Sequence, residues 1–362
     1  MDGMKVCIVV GTRPEIVKMS PIIKELVKQR LNHFVLHTGQ HYSYNMDGIF
    51  FKELGLKKPK YNLKIGSGTQ GDQTGRMLVK IEQVLMKEKP DVVLVQGDTN
   101  TVLAASLAAG KLHIRIGHVE AGIRSFNRYM PEELNRILVD HISDYLFAPT
   151  KNARRQLIKE GIDPKKILVT GNTVVDAVLN NIKIAKRRAS ALRELGLVRK
   201  NYMLLTMHRQ ENVDNKKRLS SILKGITLLH KNVKMPIVFP AHPRTLKMIS
   251  RLRLKLPECI KTIEPVGYIE FLQLEANASL ILTDSGGLQE EACILKVPCI
   301  TLRDDTERPE TIEVGSNALV GTNPKLINKF GTKMLRKNTD WGMPFGDGKA
   351  GIRIIKAICH DF

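Results

Sequence analysis

The stretch VVLVQGDTNTVLAASLAAGKLHIRIGHV, residues 92–119, decides the architecture of this chain. It opens on an unbroken β-branched and apolar run at 92–95, passes through an alanine-rich helical segment at 101–109, and ends on a second strand-like run at 114–119. Apolar runs without polar alternation suit strands covered on both faces, and a helix between them supplies the crossover that parallel strands need. The polar residues Gln96-Gly97-Asp98-Thr99 follow the first run directly. In open parallel sheets, ligands gather at that position, beyond the carboxyl ends of the strands.

The same grammar extends in both directions. Toward the N-terminus lie strand candidates at 6–10 and 34–36, with a helical pattern at 16–27 between them; toward the C-terminus come 145–148, a helix at 152–160, and 167–169. A very basic stretch, 172–200, separates this half from a second series of strand candidates at 203–206, 237–240, 260–263, 280–283 and 299–302. One last helix is expected at 348–359. The spacing predicts an α/β protein of two doubly wound Rossmann-like domains facing a central cleft, with domains at 1–171 and 172–345 and a C-terminal helical segment at 346–362. A length of 362 residues is enough for two separate cores.

Composition narrows the function. Hydrophobic residues make up 43% and charged residues 26%, as in globular proteins, and no apolar run is long enough to cross a membrane. Residues 1–10 lack the pattern of a secretory signal, and Cys7, Cys259, Cys293, Cys299 and Cys359 show no C-x-x-C spacing. Reduced thiols and a cytoplasmic location are expected. The net charge of +21 raises nucleic acid as a partner. However, the basic residues are scattered through helical segments (Lys24, Lys28, Lys151, Arg154), aromatics are only 5%, and no nucleic-acid motif accompanies them. An anionic small substrate fits better, with neither nucleic acid nor membrane as partner.

Six strand ends carry the chemistry: Gly11-Thr12-Arg13-Pro14-Glu15, Gln96 to Thr99, His118 to Gly122, His208 to Asn212, Ala241-His242-Pro243, and Asp284-Ser285-Gly286-Gly287. The last is the strongest. Its glycines admit a ligand close to the backbone, and the helix that follows offers free N–H groups, a combination that binds phosphate. Glu291, about one and a half turns into that helix, is placed to accept hydrogen bonds from ribose hydroxyls. An ordinary N-cap at Ser285 is the competing reading. Asp98, Glu120 and the pair Glu132/Glu133 are candidate proton carriers. Capping competes for Asp98, and a structural role is preferred for Glu133. Gly66-Ser67-Gly68-Thr69-Gln70-Gly71 matches the dinucleotide fingerprint literally, but it follows a poor strand and lacks the acidic partner, so it reads as a mobile glycine-rich loop. No histidines stand at zinc spacing, and Asp304-Asp305 reads as solvated, so neither metal nor other cofactor is expected.

Taken together, these motifs resemble the non-hydrolysing UDP-N-acetylglucosamine 2-epimerases, from Gly11 to Gly346-Asp347-Gly348-Lys349-Ala350 near the end. Thr38-Gly39-Gln40-His41, Pro131-Glu132-Glu133 and Thr306-Glu307-Arg308-Pro309-Glu310 are part of the likeness. The resemblance implies a fold of glycosyltransferase-B type whose last helix returns to the first domain, a homodimer, and closure of the cleft on substrate. It implies that Arg13, Lys18, His242, Ser285, Gly286, Gly287 and Glu291 hold the substrate's UDP end, while Asp98, Glu120, Glu132 and His208 are catalytic. UDP-N-acetylglucosamine and UDP-N-acetylmannosamine would be the partners. Gln40, His41 and Arg209 match a second site for an activating substrate molecule; Ser43 and Asp72 depart from the pattern there. A glycosyltransferase, a hydrolysing epimerase or a nucleotide-sugar sensor would share the UDP grip.

Overall fold

The computed structural model describes residues 3–40, 44–187 and 191–360, without the side chains of 44–47 and 49. The chain divides into two compact units, Met1–Leu179 with Phe345–Phe362, and Asn180–Pro344. The division falls inside the helix Thr173–Arg187.

The first unit holds seven parallel strands: β1 (Lys5–Val10), β2 (Asn32–His37), β3 (Tyr61–Asn62), β4 (Val92–Gln96), β5 (Arg115–Val119), β6 (Tyr145–Ala148) and β7 (Ile167–Val169). Their order is β3-β2-β1-β4-β5-β6-β7, so the winding reverses between β1 and β4. Val6, Cys7 and Ile8 on β1 pair with Val92, Val93 and Leu94 on β4, all fully buried. Helix Gln70–Glu88 and the alanine-rich helix Asn100–Lys111 pack on one another and cover a core that includes Val9, Met77, Ile81, Val93 and Ala105.

Six parallel strands form the second unit: β8 (Met203–Thr206), β9 (Ile237–Pro240), β10 (Ile260–Ile263), β11 (Leu280–Thr283), β12 (Cys299–Thr301) and β13 (Asn317–Leu319). The order β10-β9-β8-β11-β12-β13 places the reversal between β8 and β11. Met203, Leu205, Leu280 and Leu282 join one apolar cluster, while Leu204 and Ile281 join another. That alternation is the mark of a sheet covered on both faces.

Several boundaries differ from the sequence expectation for identifiable reasons. The first helix spans Arg13–Lys28, starting before residue 16, because Pro14 fits the first helical turn and Thr12 with Glu15 closes its end. The last helix begins at Ala350, where the Asp176 carboxylate accepts the N–H groups of Ala350 and Gly351 at 3.2 and 3.0 Å. Residues 66–71 lead into the nineteen-residue helix Gln70–Glu88, whose N-cap is Thr69. The strand before them, β3, is a sheet edge far from the reversal point, so the glycines do not stand where a dinucleotide fold puts them.

Candidate active site

Both reversal points carry the polar strand ends, so each unit is described in turn. In the first, Gly11 leaves β1 against two threonines. A Cβ there would lie 2.0 Å from Thr101 Oγ1 and 2.5 Å from Thr38 Oγ1, so only glycine lets the backbone pass. Glu15 lies buried behind this turn. Its carboxylate accepts the N–H groups of Gly11 and Thr12 at 2.5 and 3.2 Å and the Thr99 hydroxyl at 2.6 Å. It thus ties the β1 turn to the β4 turn. Burial, only partly offset by the Thr99 hydroxyl and the two backbone donors, pushes its pKa up to about 7.

Asp98 is not the helix cap: Thr99 is, its hydroxyl accepting Val102 N–H. The Asp98 carboxylate receives the Arg136 guanidinium at 2.5 Å, and its carbonyl accepts from Asn135 at 2.8 Å. Arg136 also holds Glu133 at 2.7 Å. Glu133 accepts the N–H groups of Ser125 and Phe126 at 2.9 Å each, so it serves the loop, in keeping with the structural role preferred for it. Glu132 faces elsewhere. With Gln40, Asp98, Thr12, Ser67 and Gln70 it lines a polar cavity of about 420 Å³. The glycine-rich segment 66–71 therefore contributes to this cavity, which the sequence reading had not assigned to it.

Glu120 follows β5 with φ of 73°, in the left-handed region that a side chain with a Cβ rarely adopts. Its carboxylate is buried and receives the Lys18 ammonium at 2.9 and 2.8 Å, together with the Gln96 amide. His118, two residues earlier, touches Asp140 at 2.6 Å through Nδ1 and the Gly97 carbonyl at 2.8 Å through Nε2. Asp140 also accepts Gly122 N–H at 3.1 Å and pairs with Arg124 at 2.7 Å. Burial opposes its charge, but His118 and Arg124 outweigh that and hold its pKa below the usual value. The loop bearing Glu120 is thus fixed on both sides. Arg13 is placed over the Phe50 ring at 5.0 Å, and Gln40 accepts from the Thr101 hydroxyl at 2.9 Å. His41 and Ser43 lie outside the described residues.

In the second unit Asp284 organises the turn after β8. Fully buried, it accepts the N–H groups of His208 and Arg209 at 3.1 and 3.0 Å, with His208 Nδ1 at 3.3 Å. Half of the His208 side chain is open to solvent. Loss of water on its packed side, helped by Arg209, His242 and Arg303, lowers its pKa although Asp284 opposes the shift. Ser285 is the N-cap of helix Gly286–Ile294, yet its hydroxyl makes no capping bond. A mostly apolar cavity of about 430 Å³ is lined by Val266, Phe271 and other apolar residues together with Thr206, His208, His242 and Ser285. A lining that joins a helix N-terminus to apolar side chains suits a nucleotide, with phosphates at the former and a base against the latter. His242 caps its own helix, Pro243–Arg251, through Arg244 N–H at 3.2 Å. Arg209 reaches Glu307 at 3.2 Å, and Glu307 also holds Arg303 at 2.7 Å. Tyr268 donates to Glu291 at 3.4 Å.

Asp284 and Glu307 were quoted from the sequence only as members of their motifs, and Asp140 and Arg136 were given no role, since each also acts on a partner far away in the chain. Asp304 and Asp305 are ion-paired with Arg218 and Arg303, each at 2.7 Å. Among the described residues no group of three or more His, Cys, Asp or Glu is arranged to hold a metal, and no helix is long and apolar enough to cross a membrane.

Two all-parallel sheets, each with polar turns at its reversal point, define an α/β protein of glycosyltransferase-B type. A family model described as UDP-N-acetylglucosamine 2-epimerase matches residues 24–359. A UDP-N-acetylglucosamine 2-epimerase of Methanocaldococcus jannaschii is 58% identical over 99% of each chain. The crystal structure of that organism's UDP-GlcNAc 2-epimerase in complex with UDP-GlcNAc and UDP is similar with a TM-score of 0.93 at 58% identity, over 99% of this chain and 100% of that one. A UDP-2,3-diacetamido-2,3-dideoxy-D-glucuronate 2-epimerase of Pseudomonas aeruginosa is 46% identical over 98% of this chain and 99% of its own. The chain belongs to the UDP-N-acetylglucosamine 2-epimerase family.

Proposed function

We propose that the protein interconverts UDP-N-acetylglucosamine and UDP-N-acetylmannosamine by eliminating UDP and adding it back. The observation that carries this reading is the cavity lined by Ser285 at a helix N-terminus, in a member of this family. In the proposal Ser285, Gly286, Gly287 and Arg13 meet the diphosphate, Glu291 the ribose, and His242 lies close by. Asp98, Glu120, Glu132 and His208 serve the sugar, with Lys18 holding Glu120 in place.

The chemistry follows from the substrate. No carbonyl adjoins carbon 2 in the ring, so direct removal of its proton would leave an unstabilised carbanion. When the C1–O bond breaks, its electron pair leaves with UDP and positive charge develops at carbon 1. The carbon 2 proton then passes to a carboxylate, and the C–H electron pair forms the double bond of 2-acetamidoglucal. Protonation of carbon 2 on the other face and return of UDP to carbon 1 complete the inversion. Donors for the departing diphosphate and carboxylates near the ring are what such a step needs.

The reading extends to assembly and use. Leu134, Leu138 and Ile142 repeat along one face of helix Pro131–Ile142 at 41%, 49% and 38% exposure, an apolar stripe that supports a homodimer. Gln40, His41 and Arg209 are proposed to receive a second, activating substrate molecule. The product would feed synthesis of cell-surface or protein-linked glycans.

Proton NMR of UDP-N-acetylglucosamine incubated with the protein in heavy water tests the proposal. The expected result is UDP-N-acetylmannosamine carrying deuterium at carbon 2, with little free UDP. Free N-acetylmannosamine with stoichiometric UDP would replace the proposal with hydrolysis. Turnover confined to UDP-diacetamidoglucuronate would change the substrate and leave the chemistry.

A further inference from the structure

Glu275 stands outside every motif read from the sequence and outside the mechanism above. It lies on helix Tyr268–Asn277 in the second unit, with none of its surface exposed. Among the described residues no donor bonds either of its carboxylate oxygens. The ionisable side chain that acts on it is another acid, the carboxylate of Glu291. Tyr268, seven residues or two turns earlier on the same helix face, donates to that same carboxylate at 3.4 Å. Two side chains of one helix thus converge on Glu291, which stands one turn beyond the cavity residue Leu288.

Two carboxylates in contact cannot both be charged without water, and a bare buried charge costs several kcal/mol. A single shared proton removes the conflict: Glu275 donates and Glu291 accepts. Burial first, then the charge of Glu291, hold the Glu275 carboxyl well above the ordinary carboxylate range. The other titratable groups facing it are Tyr268, Tyr202 and Cys299, all pushed upward by burial and so neutral neighbours. Arg193 and Glu194, on the short helix packed against this one, are exposed, and Glu290 on the Glu291 helix is paired with Arg308.

We propose that Glu275 is a positioning residue that shares one proton with Glu291 and, with Tyr268, turns the Glu291 carboxylate toward the ribose diol of the bound nucleotide. The inference rests on the assignment of Glu291 to ribose. With one oxygen engaged by Tyr268 and the pair limited to one negative charge, the Glu291 carboxylate is held in orientation as an acceptor for the sugar hydroxyls. The neutral Glu275 is the fixed member, and the ribose contact depends on it without touching it.

Calorimetric titration of the full-length protein with UDP and with 2′-deoxy-UDP at neutral pH tests this, because neither ligand requires turnover. The unsubstituted protein is expected to prefer UDP by roughly tenfold or more, the worth of one hydrogen bond to a charged group. Glu275→Leu should bring that preference close to one by weakening UDP alone, and Glu275→Gln, which retains an N–H donor, should restore it. Equal weakening of both ligands in Glu275→Leu would reduce Glu275 to a packing role and overturn the inference. So would an undiminished preference, or a Gln variant that behaves like Leu. If the unsubstituted protein binds both nucleotides alike, the assignment of Glu291 to ribose falls first and the inference falls with it.

Discussion

The Lys18 ammonium spans both oxygens of the Glu120 carboxylate, at 2.9 and 2.8 Å, although 102 residues separate the two in sequence. Both side chains are nearly closed to solvent, at 11% and 5% exposure. A buried pair of this kind contributes little beyond an apolar substitute, but removing one partner strands the other charge. Glu120 also holds a left-handed backbone, worth about 1–3 kcal/mol of strain that its surroundings must offset.

Lys18→Met should therefore lose about 3–5 kcal/mol in urea unfolding, and the double variant Lys18→Met/Glu120→Gln should regain most of it. Glu120→Gln alone should bind UDP as before, because the residues proposed to hold UDP (Arg13, Ser285, Gly286, Gly287 and Glu291) are all retained, while turnover falls by roughly 10²–10⁴. Wild-type turnover in Glu120→Gln would remove Glu120 from proton transfer.

Glu307 gives a second test with a definite sign. Burial disfavours its charge, but Arg303, Arg308 and Arg209 outweigh that and bring its pKa down to about 2. A lowered carboxyl favours the folded state at any pH above its unfolded value, near 4.5. Its contribution, on the order of 3 kcal/mol, should be complete above that value and vanish as pH falls toward 2. Urea midpoints followed from pH 6 to pH 3 should fall less steeply in Glu307→Gln than in the unsubstituted protein. Parallel curves would show that the arginines do not hold this charge.

How much of this was legible in the sequence follows from the range of each interaction. The strands around each reversal point were readable because both faces are buried and each is written as a local apolar run, such as 92–95 or 280–283. β3, two residues long, reads only as a poor strand, and β13, Asn317-Ala318-Leu319, is not written as a β-branched apolar run. Polar strand ends marked Asp98, Glu120, His208 and Ser285 without showing what holds them. Asp140 reaches His118 from the far end of a helix, and Asp284 reaches His208 from a neighbouring strand 76 residues on. Such pairings depend on sheet order and register, which single-residue patterns do not encode. The segment 66–71 reads correctly as something other than a dinucleotide fingerprint, but its part in the cavity, through Ser67, Gly68 and Gln70, depends on tertiary placement that the local pattern does not carry.

Glu15 should show the opposite pH sign to Glu307. Its folded pKa is raised from 4.5 to about 7, so the folded protein retains a proton that the unfolded chain releases. The stabilisation attached to that proton is complete below 4.5 and is lost as pH rises through 7. Glu15→Gln keeps the shape without the titration and should flatten the stability curve between pH 5 and 7.5. A curve unchanged by the substitution would mean that the three donors around Glu15 keep it charged throughout.

Gly287 allows stability and binding to be separated in one experiment. Among the described residues a Cβ built at this position meets nothing outside its own helix within 4 Å, and the residue is second in that helix, so alanine fits there. Alanine is the better helix former by about 0.5–1 kcal/mol, so Gly287→Ala should melt at or slightly above the temperature of the unsubstituted protein. Gly286 differs, since a Cβ there would come within 3.2 Å of Glu307. If the space over Gly287 belongs to a phosphate, its new methyl group must push the ligand off the helix N–H groups. UDP affinity should then fall by roughly tenfold or more, equivalent to about 1.4 kcal/mol or more. Thermal melting and calorimetric titration on the same sample distinguish the cases. A variant that is stable and still binds UDP at full strength would place the diphosphate away from this helix terminus.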